Sequence, residues 1–362
     1  MTETPHPIPL PPGEGDALAG RSSTSSPASR ERDGVRASGL LLSVRNLAVE
    51  FDSDRGRARV VDRISFDVKA GEVLGVVGES GCGKSVTALS VLRLLPSPPG
   101  HIAGGTIAFG GEDLLHLPIA RMRAIRGKRI SMIFQDPMSA LSPLHRVGDQ
   151  LVEAIQLHEA MSSRAAWTFG VEWLERVGIP DPVERMRAWP HELSGGMRQR
   201  VMIAMALMLK PELVIADEPT TALDVTIQAQ VFDLMRELRD ARTGLILITH
   251  DMGAIWEMCD RALVMYAGRI VESAPVAELF AAPRHPYTAA LLRAMPRGRL
   301  ADGRLPTIPG QVPAPAAYSA ACRFADRCPH AWARCRAEDP TLYTAGPGRT
   351  AACFLVEEGR TS

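Results

Sequence analysis

The sequence predicts an α/β fold with a mostly parallel sheet, and two observations carry that prediction. Residues 73–77 (VLGVV) and 213–216 (LVIA) are short, continuously apolar runs. Such runs are typical of parallel strands that are buried on both faces. The first run is followed by a glycine-rich segment at residues 78–85 and then by a helical pattern over residues 86–95. A glycine-rich loop is therefore expected to connect a buried strand to a helix.

This loop has the pattern G-x-x-x-x-G-K-[ST], which binds phosphate groups. Its backbone N–H groups and the dipole of the following helix favour a polyphosphate over the alternative, a glycine-rich turn without a ligand. The lysine supplies a point charge and the final serine a hydroxyl for Mg²⁺. The predicted phosphate-binding residues are Gly78, Glu79, Ser80, Gly81, Cys82, Gly83, Lys84 and Ser85.

Two carboxylates follow the second apolar run, because Asp217 and Glu218 stand side by side at its carboxyl end. Open α/β sheets bind their ligands at that edge. Adjacent carboxylates repel each other there unless a cation or a proton offsets the cost. We predict that Asp217 binds Mg²⁺, directly or through water, and that Glu218 acts on the water that attacks a γ-phosphate. The alternative is a solvated acidic pair.

Five motifs occur in a fixed order between residues 40 and 275: GESGCGKS, Gln135 after a predicted strand, LSGGMRQR, LVIADEPTTALD, and His250 after another predicted strand. This set resembles the nucleotide-binding subunits of ABC transporters. The resemblance implies a P-loop NTPase cassette at residues 39–275, with ATP and Mg²⁺ as ligands. It also implies an N-terminal antiparallel β subdomain, beginning with edge strands near residue 40, and an inserted helical subdomain at about residues 138–192.

The same resemblance implies that two cassettes pack head to tail, with each ATP between the phosphate loop of one and the LSGG segment of the other. Ser194, Gly195 and Gly196 would then contact the nucleotide of the second cassette, and Asp224 would cross the dimer interface. From the residues alone, the Ser-Gly-Gly segment precedes a helix predicted at residues 197–209. Its amides suit an anion, although a simple helix N-cap explains the same residues.

Two further polar residues receive catalytic roles from the resemblance. Gln135 would bind Mg²⁺ and sense the membrane partner, and His250 would contact the γ-phosphate. Each follows a predicted buried strand, so each also fits a structural polar residue that caps its strand. The family stacks adenine on an aromatic ring upstream of the phosphate loop. Phe51 is the aromatic residue nearest to that position, and it equally fits a core residue.

A narrower resemblance concerns residues 189–199, 220–231 and above all 284–292 (RHPYTAALL), which look like the oligopeptide/dipeptide (peptide/nickel) importer group. The His-Pro-Tyr motif has no evident catalytic chemistry. Its proline ends one element and its tyrosine begins an apolar-faced helix, so we expect a structural docking role. The implied function is ATP hydrolysis coupled to uptake of di- and oligopeptides. Nickel, opine or antimicrobial-peptide cargo, or a non-import ABC ATPase, is the alternative.

The family implies a second ABC ATPase subunit, with a heterodimer favoured, together with two transmembrane permease subunits and an extracytoplasmic substrate-binding protein. It places the chain on the cytoplasmic face of the inner membrane as a peripheral subunit. Basic and acidic residues number 41 each, so no basic field indicates nucleic acid. A DNA-repair or translation cassette would need a long coiled coil or a second cassette, and the sequence has neither pattern.

The two ends of the chain are predicted to lie outside the cassette. Residues 1–38 are rich in Pro, Gly, Ser and Arg, which predicts a disordered tail. Residues 276–362 form an extension that contains Cys322, Cys328, Cys335 and Cys353. In a reducing compartment such clusters bind metal more often than they form disulfides.

The spacing of these four cysteines is wider than in a zinc ribbon, and Cys328 precedes a proline, as ligands of bacterial iron–sulfur proteins often do. Some oligopeptide/dipeptide ATPase subunits hold a 4Fe-4S cluster in this extension. The resemblance therefore implies such a cluster here, with zinc or unligated thiols as the alternatives.

Overall fold

The computed structural model describes residues 39–54, 56–136, 140–220, 225–295 and 307–360, with the side chains of residues 225–227 excepted. The predictions for residues 1–38 and for Asp224 therefore lie outside the described residues. The strands of the described ranges are β1 (Leu40–Ser53), β2 (Gly56–Lys69), β3 (Val73–Val77), β4 (Gly100–Phe109), β5 (Glu112–Asp113), β6 (Ile130–Ile133), β7 (Leu213–Asp217), β8 (Gly244–Thr249), β9 (Arg261–Tyr266), β10 (Arg269–Pro275), β11 (Tyr343–Gly346) and β12 (Arg349–Ala351).

The α-helices of the same ranges lie mostly between the strands. They are α1 (Lys84–Val91), α2 (Ile119–Ile125), α3 (Val147–Gln156), α4 (Ser163–Arg176), α5 (Pro182–Arg187), α6 (Gly195–Leu207), α7 (Val225–Leu238), α8 (Met252–Met258), α9 (Val276–Ala281), α10 (Pro286–Arg293), α11 (Ala333–Ala337) and α12 (Phe354–Glu357). Of these helices, none is both long and apolar enough to cross a membrane.

The central sheet has the order β11-β12-β10-β9-β3-β8-β7-β6. Its middle is parallel, because β3 pairs with β8 and β9, and β7 pairs with β6 and β8, all in the same direction. Every residue of β3, β7 and β8 is buried, as the continuous apolar runs predict. The predicted parallel α/β core is therefore confirmed.

A second, antiparallel sheet has the order β2-β1-β4-β5. The prediction that the cassette begins with edge strands near residue 40 is wrong, because β1 pairs with β2 on one side and with β4 on the other. Its apolar residues Leu42, Val44, Leu47 and Val49 are fully buried. Side chains of β1 therefore have cross-strand neighbours on both sides, and such pairs stabilise a sheet.

Helices α3, α4 and α5 follow β6, the last strand in the order of the central sheet, in the chain. Leu151, Ile155, Trp173, Leu174 and Met186 from these helices share one hydrophobic cluster with α6 and β7. This cluster packs the helices against the sheet. Residues 137–139, where the helical subdomain is predicted to start, lie outside the described residues.

The segment after residue 275 joins the central sheet. Strand β10 pairs antiparallel with β9 on one side and with β12 on the other. A third hydrophobic cluster includes Val264 and Tyr266 of β9, Leu279 of α9, Tyr287 of α10 and Phe324. The domain boundary at residue 275 stays a prediction, and the sheet runs across it.

Candidate functional site

The phosphate loop at residues 78–85 leaves β3 and enters α1. Gly78 has a φ of 158°, and a Cβ atom there would lie 2.2 Å from the Met265 carbonyl oxygen, so only glycine fits. The buried Lys84 Nζ donates to the carbonyl oxygens of Gly78 at 2.7 Å and Glu79 at 3.1 Å. The loop therefore curls around the ammonium group of Lys84, which keeps a positive charge beside it.

The first pair of predicted Mg²⁺ ligands is brought together at the end of this loop. Ser85 Oγ donates to Asp217 Oδ1 at 3.0 Å, which joins α1 to the end of β7. Burial raises the pKa of the Asp217 carboxyl and the charge of Glu218 adds to the rise, whereas the hydrogen bond from Ser85 lowers it. A cation would offset the cost of this buried charge, and a hydroxyl with a carboxylate suits the oxygen preference of Mg²⁺.

The three predicted catalytic residues also meet, because they follow neighbouring parallel strands. Gln135 comes after β6, Glu218 after β7 and His250 after β8. Gln135 Nε2 donates to Glu218 Oε2 at 3.2 Å, and His250 Nδ1 lies 3.4 Å from the same oxygen. The Glu218 side chain is 13% exposed and that of His250 is 65% exposed. This arrangement excludes the solvated acidic pair considered from the sequence.

The backbone of Glu218 contributes to this geometry. Its φ is 46°, in the left-handed region that few residues with a side chain adopt. Its N–H donates to the Ile248 carbonyl oxygen of β8 at 2.9 Å, which holds the strained residue in place. Strain of this kind at a strand end is often associated with a functional site.

The Ser-Gly-Gly segment lies at the start of α6. The helix begins at Gly195, two positions before the predicted start, because Ser194 is its N-cap. Ser194 Oγ accepts from the Met197 N–H at 3.3 Å. Both Ser194 and Gly195 are exposed, and a Cβ atom added at Gly195 would meet nothing within 4 Å. The segment is therefore a cap whose outer face is open, and Gly196 beside it is half-buried.

Sequence reasoning missed two residues that contact the phosphate loop. The Glu79 N–H donates to Tyr287 Oη at 2.8 Å. Arg327 donates to both carboxylate oxygens of Glu79, at 2.7 and 3.0 Å. The His-Pro-Tyr motif predicted a docking role for Tyr287, whereas no sequence pattern pointed to Arg327.

The His-Pro-Tyr motif is built into the structure by its own hydrogen bonds. His285 is buried, and burial lowers its pKa to about 3, so its imidazole is neutral. Its Nδ1 accepts from the Tyr287 N–H at 3.0 Å and caps α10. The backbone N–H of His285 in turn donates to the buried carboxylate of Glu272 at 2.8 Å. These bonds fix Tyr287 between β10 and the phosphate loop.

Phe51, the residue considered for adenine stacking, is partly buried against a hydrophobic cluster that includes Val49 and Ile107. A Cβ atom added at Gly100 would lie 2.9 Å from its ring. This contact supports the interpretation of Phe51 as a core residue.

The four cysteines of the extension line one cavity together with Phe324 and Phe354. Burial raises the pKa of Cys322 to about 12 and that of Cys353 to about 11. In the described ranges no group of three or more His, Cys, Asp or Glu side chains is placed to hold a metal ion. The shared cavity of the four cysteines is therefore the one geometric feature, among the described residues, that supports the predicted iron–sulfur cluster.

The strand–loop–helix unit, the Ser85–Asp217 pair and the Glu218 carboxylate define the class of protein as a P-loop NTPase. Residues 61–221 match the family described as ABC transporter, and residues 271–335 match the oligopeptide/dipeptide transporter C-terminal region. A dimeric post-hydrolysis structure of an ATP-binding cassette bound to ADP and Pi has a TM-score of 0.59 at 22% identity, covering 65% of this chain and 99% of that one. That likeness shows the fold.

Two relatives cover nearly the whole chain. It is 53% identical to a probable peptide ABC transporter ATP-binding protein of Sinorhizobium fredii, over 88% of this chain and 96% of the relative. It is 46% identical to the dipeptide transport ATP-binding protein DppD of Escherichia coli, over 88% of this chain and 98% of the relative. The chain belongs to the oligopeptide/dipeptide family of ABC transporter ATP-binding subunits. It is an ATPase, and ATP and Mg²⁺ are its ligands.

Proposed function

We propose that this chain is the ATP-hydrolysing subunit of an ABC importer and that it drives uptake of di- and oligopeptides across the cytoplasmic membrane. One observation carries the hydrolytic role: the Glu218 carboxylate is held by Gln135 and His250 beside the Ser85–Asp217 pair. The cargo class is supported by the similarity to DppD along 88% of the chain. Nickel, opine and antimicrobial-peptide cargo remain the alternatives.

In this proposal Glu218 is the general base. It accepts a proton from the attacking water, whose oxygen bonds to the γ-phosphorus as the bond to ADP breaks. Gln135 and His250 fix the rotation of the carboxylate, since both contact Oε2. His250 also contacts the γ-phosphate, and Lys84 holds the phosphates in the ground state. Ser85, Asp217 and Gln135 would hold Mg²⁺, which would supply positive charge to neutralise the phosphates.

A second cassette completes each ATP site. Ser194, Gly195 and Gly196 contact the nucleotide bound to that cassette, and Asp224 lies at the interface. The exposed N-terminus of α6 supports this role, because its amides favour an anion. We favour a different chain over a second copy as the partner cassette.

The remaining components of the complex follow from the importer function. ATP binding drives two transmembrane permease subunits, and an extracytoplasmic substrate-binding protein delivers the peptide. The chain is then a peripheral subunit on the cytoplasmic face of the inner membrane. We also retain the 4Fe-4S cluster as a proposal, supported by the four cysteines that line one cavity.

Growth on a defined dipeptide tests the importer function. A strain that lacks this chain and requires one amino acid should fail to grow when that amino acid is supplied as a dipeptide, but should grow on the free amino acid. Wild-type chain should restore growth, and Glu218→Gln should not. Normal growth on dipeptides together with lost nickel uptake would instead favour the nickel alternative.

A further inference from the structure

The C-terminal extension contacts Glu79 of the phosphate loop in two different ways. Tyr287 Oη accepts a hydrogen bond from its backbone N–H at 2.8 Å. Arg327 forms a bidentate ion pair with its carboxylate, at 2.7 and 3.0 Å. Backbone and side chain of one loop position are thus both held from outside the loop.

The two contacting residues are themselves held firmly. The Arg327 side chain is 6% exposed, and its guanidinium lies 5.7 Å from the centre of the Tyr266 ring. Tyr287 is fully buried, with its ring centre 4.7 Å from that of Tyr266 and 5.4 Å from that of Phe324. Packed aromatic rings and a buried guanidinium have few alternative positions. The loop is therefore braced by a rigid cluster.

The charge of Glu79 gives this brace a consequence for nucleotide binding. A carboxylate within a loop that binds polyphosphate repels the ligand unless a cation neutralises it. Arg327 is that cation, because its two donors meet both oxygens of Glu79. A bidentate arginine–carboxylate pair also fixes the orientation of the carboxylate.

We propose that Tyr287 and Arg327 are positioning residues of the phosphate loop, through which the C-terminal extension sets the affinity of the cassette for ATP. Tyr287 fixes the backbone at Glu79, and Arg327 cancels the charge of its carboxylate. The inference depends on ATP binding by the loop and is independent of the peptide cargo. The ion pair joins residues 248 positions apart, so folding of the extension is coupled to the geometry of the loop.

The test is ATP affinity of the purified full-length chain, measured by displacement of trinitrophenyl-ATP. Arg327→Met keeps the packing against Tyr266 but leaves Glu79 unpaired, so ATP should bind on the order of tenfold more weakly. Adding Glu79→Gln to Arg327→Met should restore the affinity to within about twofold, because the repelling charge is gone. The defect of Arg327→Met should also shrink as salt is raised.

Tyr287→Phe removes only the acceptor of the Glu79 N–H, and ATP should bind about fivefold more weakly at any salt concentration. Two matched controls use the same substitutions elsewhere in the extension. Tyr318→Phe removes a buried hydroxyl that has no hydrogen-bond partner in the described part of the chain. Arg323→Met breaks a buried ion pair with Asp62, not with the loop. Both should leave ATP affinity within about twofold of wild type, whatever their thermal stability.

Rescue by Glu79→Gln separates positioning from a general structural role. An Arg327→Met defect that persists in the double variant, or unchanged affinity in Arg327→Met, would overturn the proposal. If Arg327→Met does not fold, Tyr287→Phe decides alone, and wild-type affinity in that variant would overturn the proposal. If these ATP affinities are as expected but the wild-type chain does not support peptide uptake, the proposed cargo is wrong and this inference stands.

Discussion

At the scale of single residues, the site depends on how one carboxylate is oriented. Gln135 and His250 contact the same oxygen of Glu218, a residue with a positive φ. Asp217 faces Ser85 instead. The two adjacent acids thus have different partners, and in our proposal this separates metal binding by Asp217 from proton transfer by Glu218.

The first prediction tests this division. Glu218→Gln should retain ATP binding but lower hydrolysis by about 10²- to 10⁴-fold, because an amide cannot accept the proton of the attacking water. Phosphate release by the assembled transporter and trinitrophenyl-ATP binding are the two measurements. Glu257→Gln, at an exposed ion pair with Arg236, is the control and should leave both unchanged. Hydrolysis by Glu218→Gln within a fewfold of wild type would assign the base elsewhere.

At the scale of elements, the N-terminus of α6 is the surface through which a second cassette would act. Gly195→Asp places a negative charge where the structure has open space, and an acid in the first turn of a helix is stabilising. The fold and the chain's own ATP binding should therefore be kept.

ATP-driven association with the partner cassette should be lost in Gly195→Asp, since its carboxylate would face the phosphates of the partner's nucleotide. Light scattering in the presence of ATP measures this, with Gly195→Ala as the uncharged control. Normal association of the Asp variant would contradict the head-to-tail geometry.

A second element-scale prediction concerns the link between β2 and the extension. Asp62 is buried and pairs with Arg269 and Arg323. Burial alone would raise the pKa of Asp62, but these guanidinium groups lower it to about 2. A depressed pKa of this size contributes about 2 kcal/mol to stability above pH 4, and this contribution is lost as the pH falls towards 2.

Asp62→Asn should therefore lower the free energy of unfolding at pH 7, and the difference from wild type should narrow by about half by pH 3. Urea unfolding at several pH values measures it. Asp233→Asn, whose partner Arg236 forms an exposed ion pair, should differ little from wild type at any pH. If the unfolding free energies of Asp62→Asn and wild type differ by the same amount at every pH, the ion pairs of Asp62 are not the source of the stability.

At the scale of the whole molecule, the features that could be predicted from the sequence are those that depend on short motifs or on periodic patterns. The apolar run Val73–Val77 has the bounds of β3, and Gln135, Glu218 and His250 meet because parallel strands end at one edge. The place of β1 inside its sheet was missed, since alternation within a strand does not reveal how many neighbours pair with it. Likewise, no pattern announces the Arg327–Glu79 pair, which spans 248 positions.

A whole-molecule prediction concerns the four cysteines. If Cys322, Cys328, Cys335 and Cys353 ligate a 4Fe-4S cluster, anaerobically purified protein should be brown and contain about four irons per chain. A serine at any of these positions should free the extension to proteolysis, while Cys259→Ser, outside the extension, should not. Colourless protein with stoichiometric zinc, or with four alkylatable thiols and no metal, would exclude the cluster.

The pairing of β12 with β10 means that the extension covers an edge of the cassette's sheet. Glu272 and Ser273 of β10 lie opposite Ala351 and Thr350, so the outer edge of that strand is covered. A fragment that stops at residue 275 would present this row of N–H and C=O groups to other molecules, and such edges promote aggregation. Removal of the 87 residues after position 275 would remove β12 and leave β10 unpaired on that side. The shortened chain should therefore not stay monodisperse.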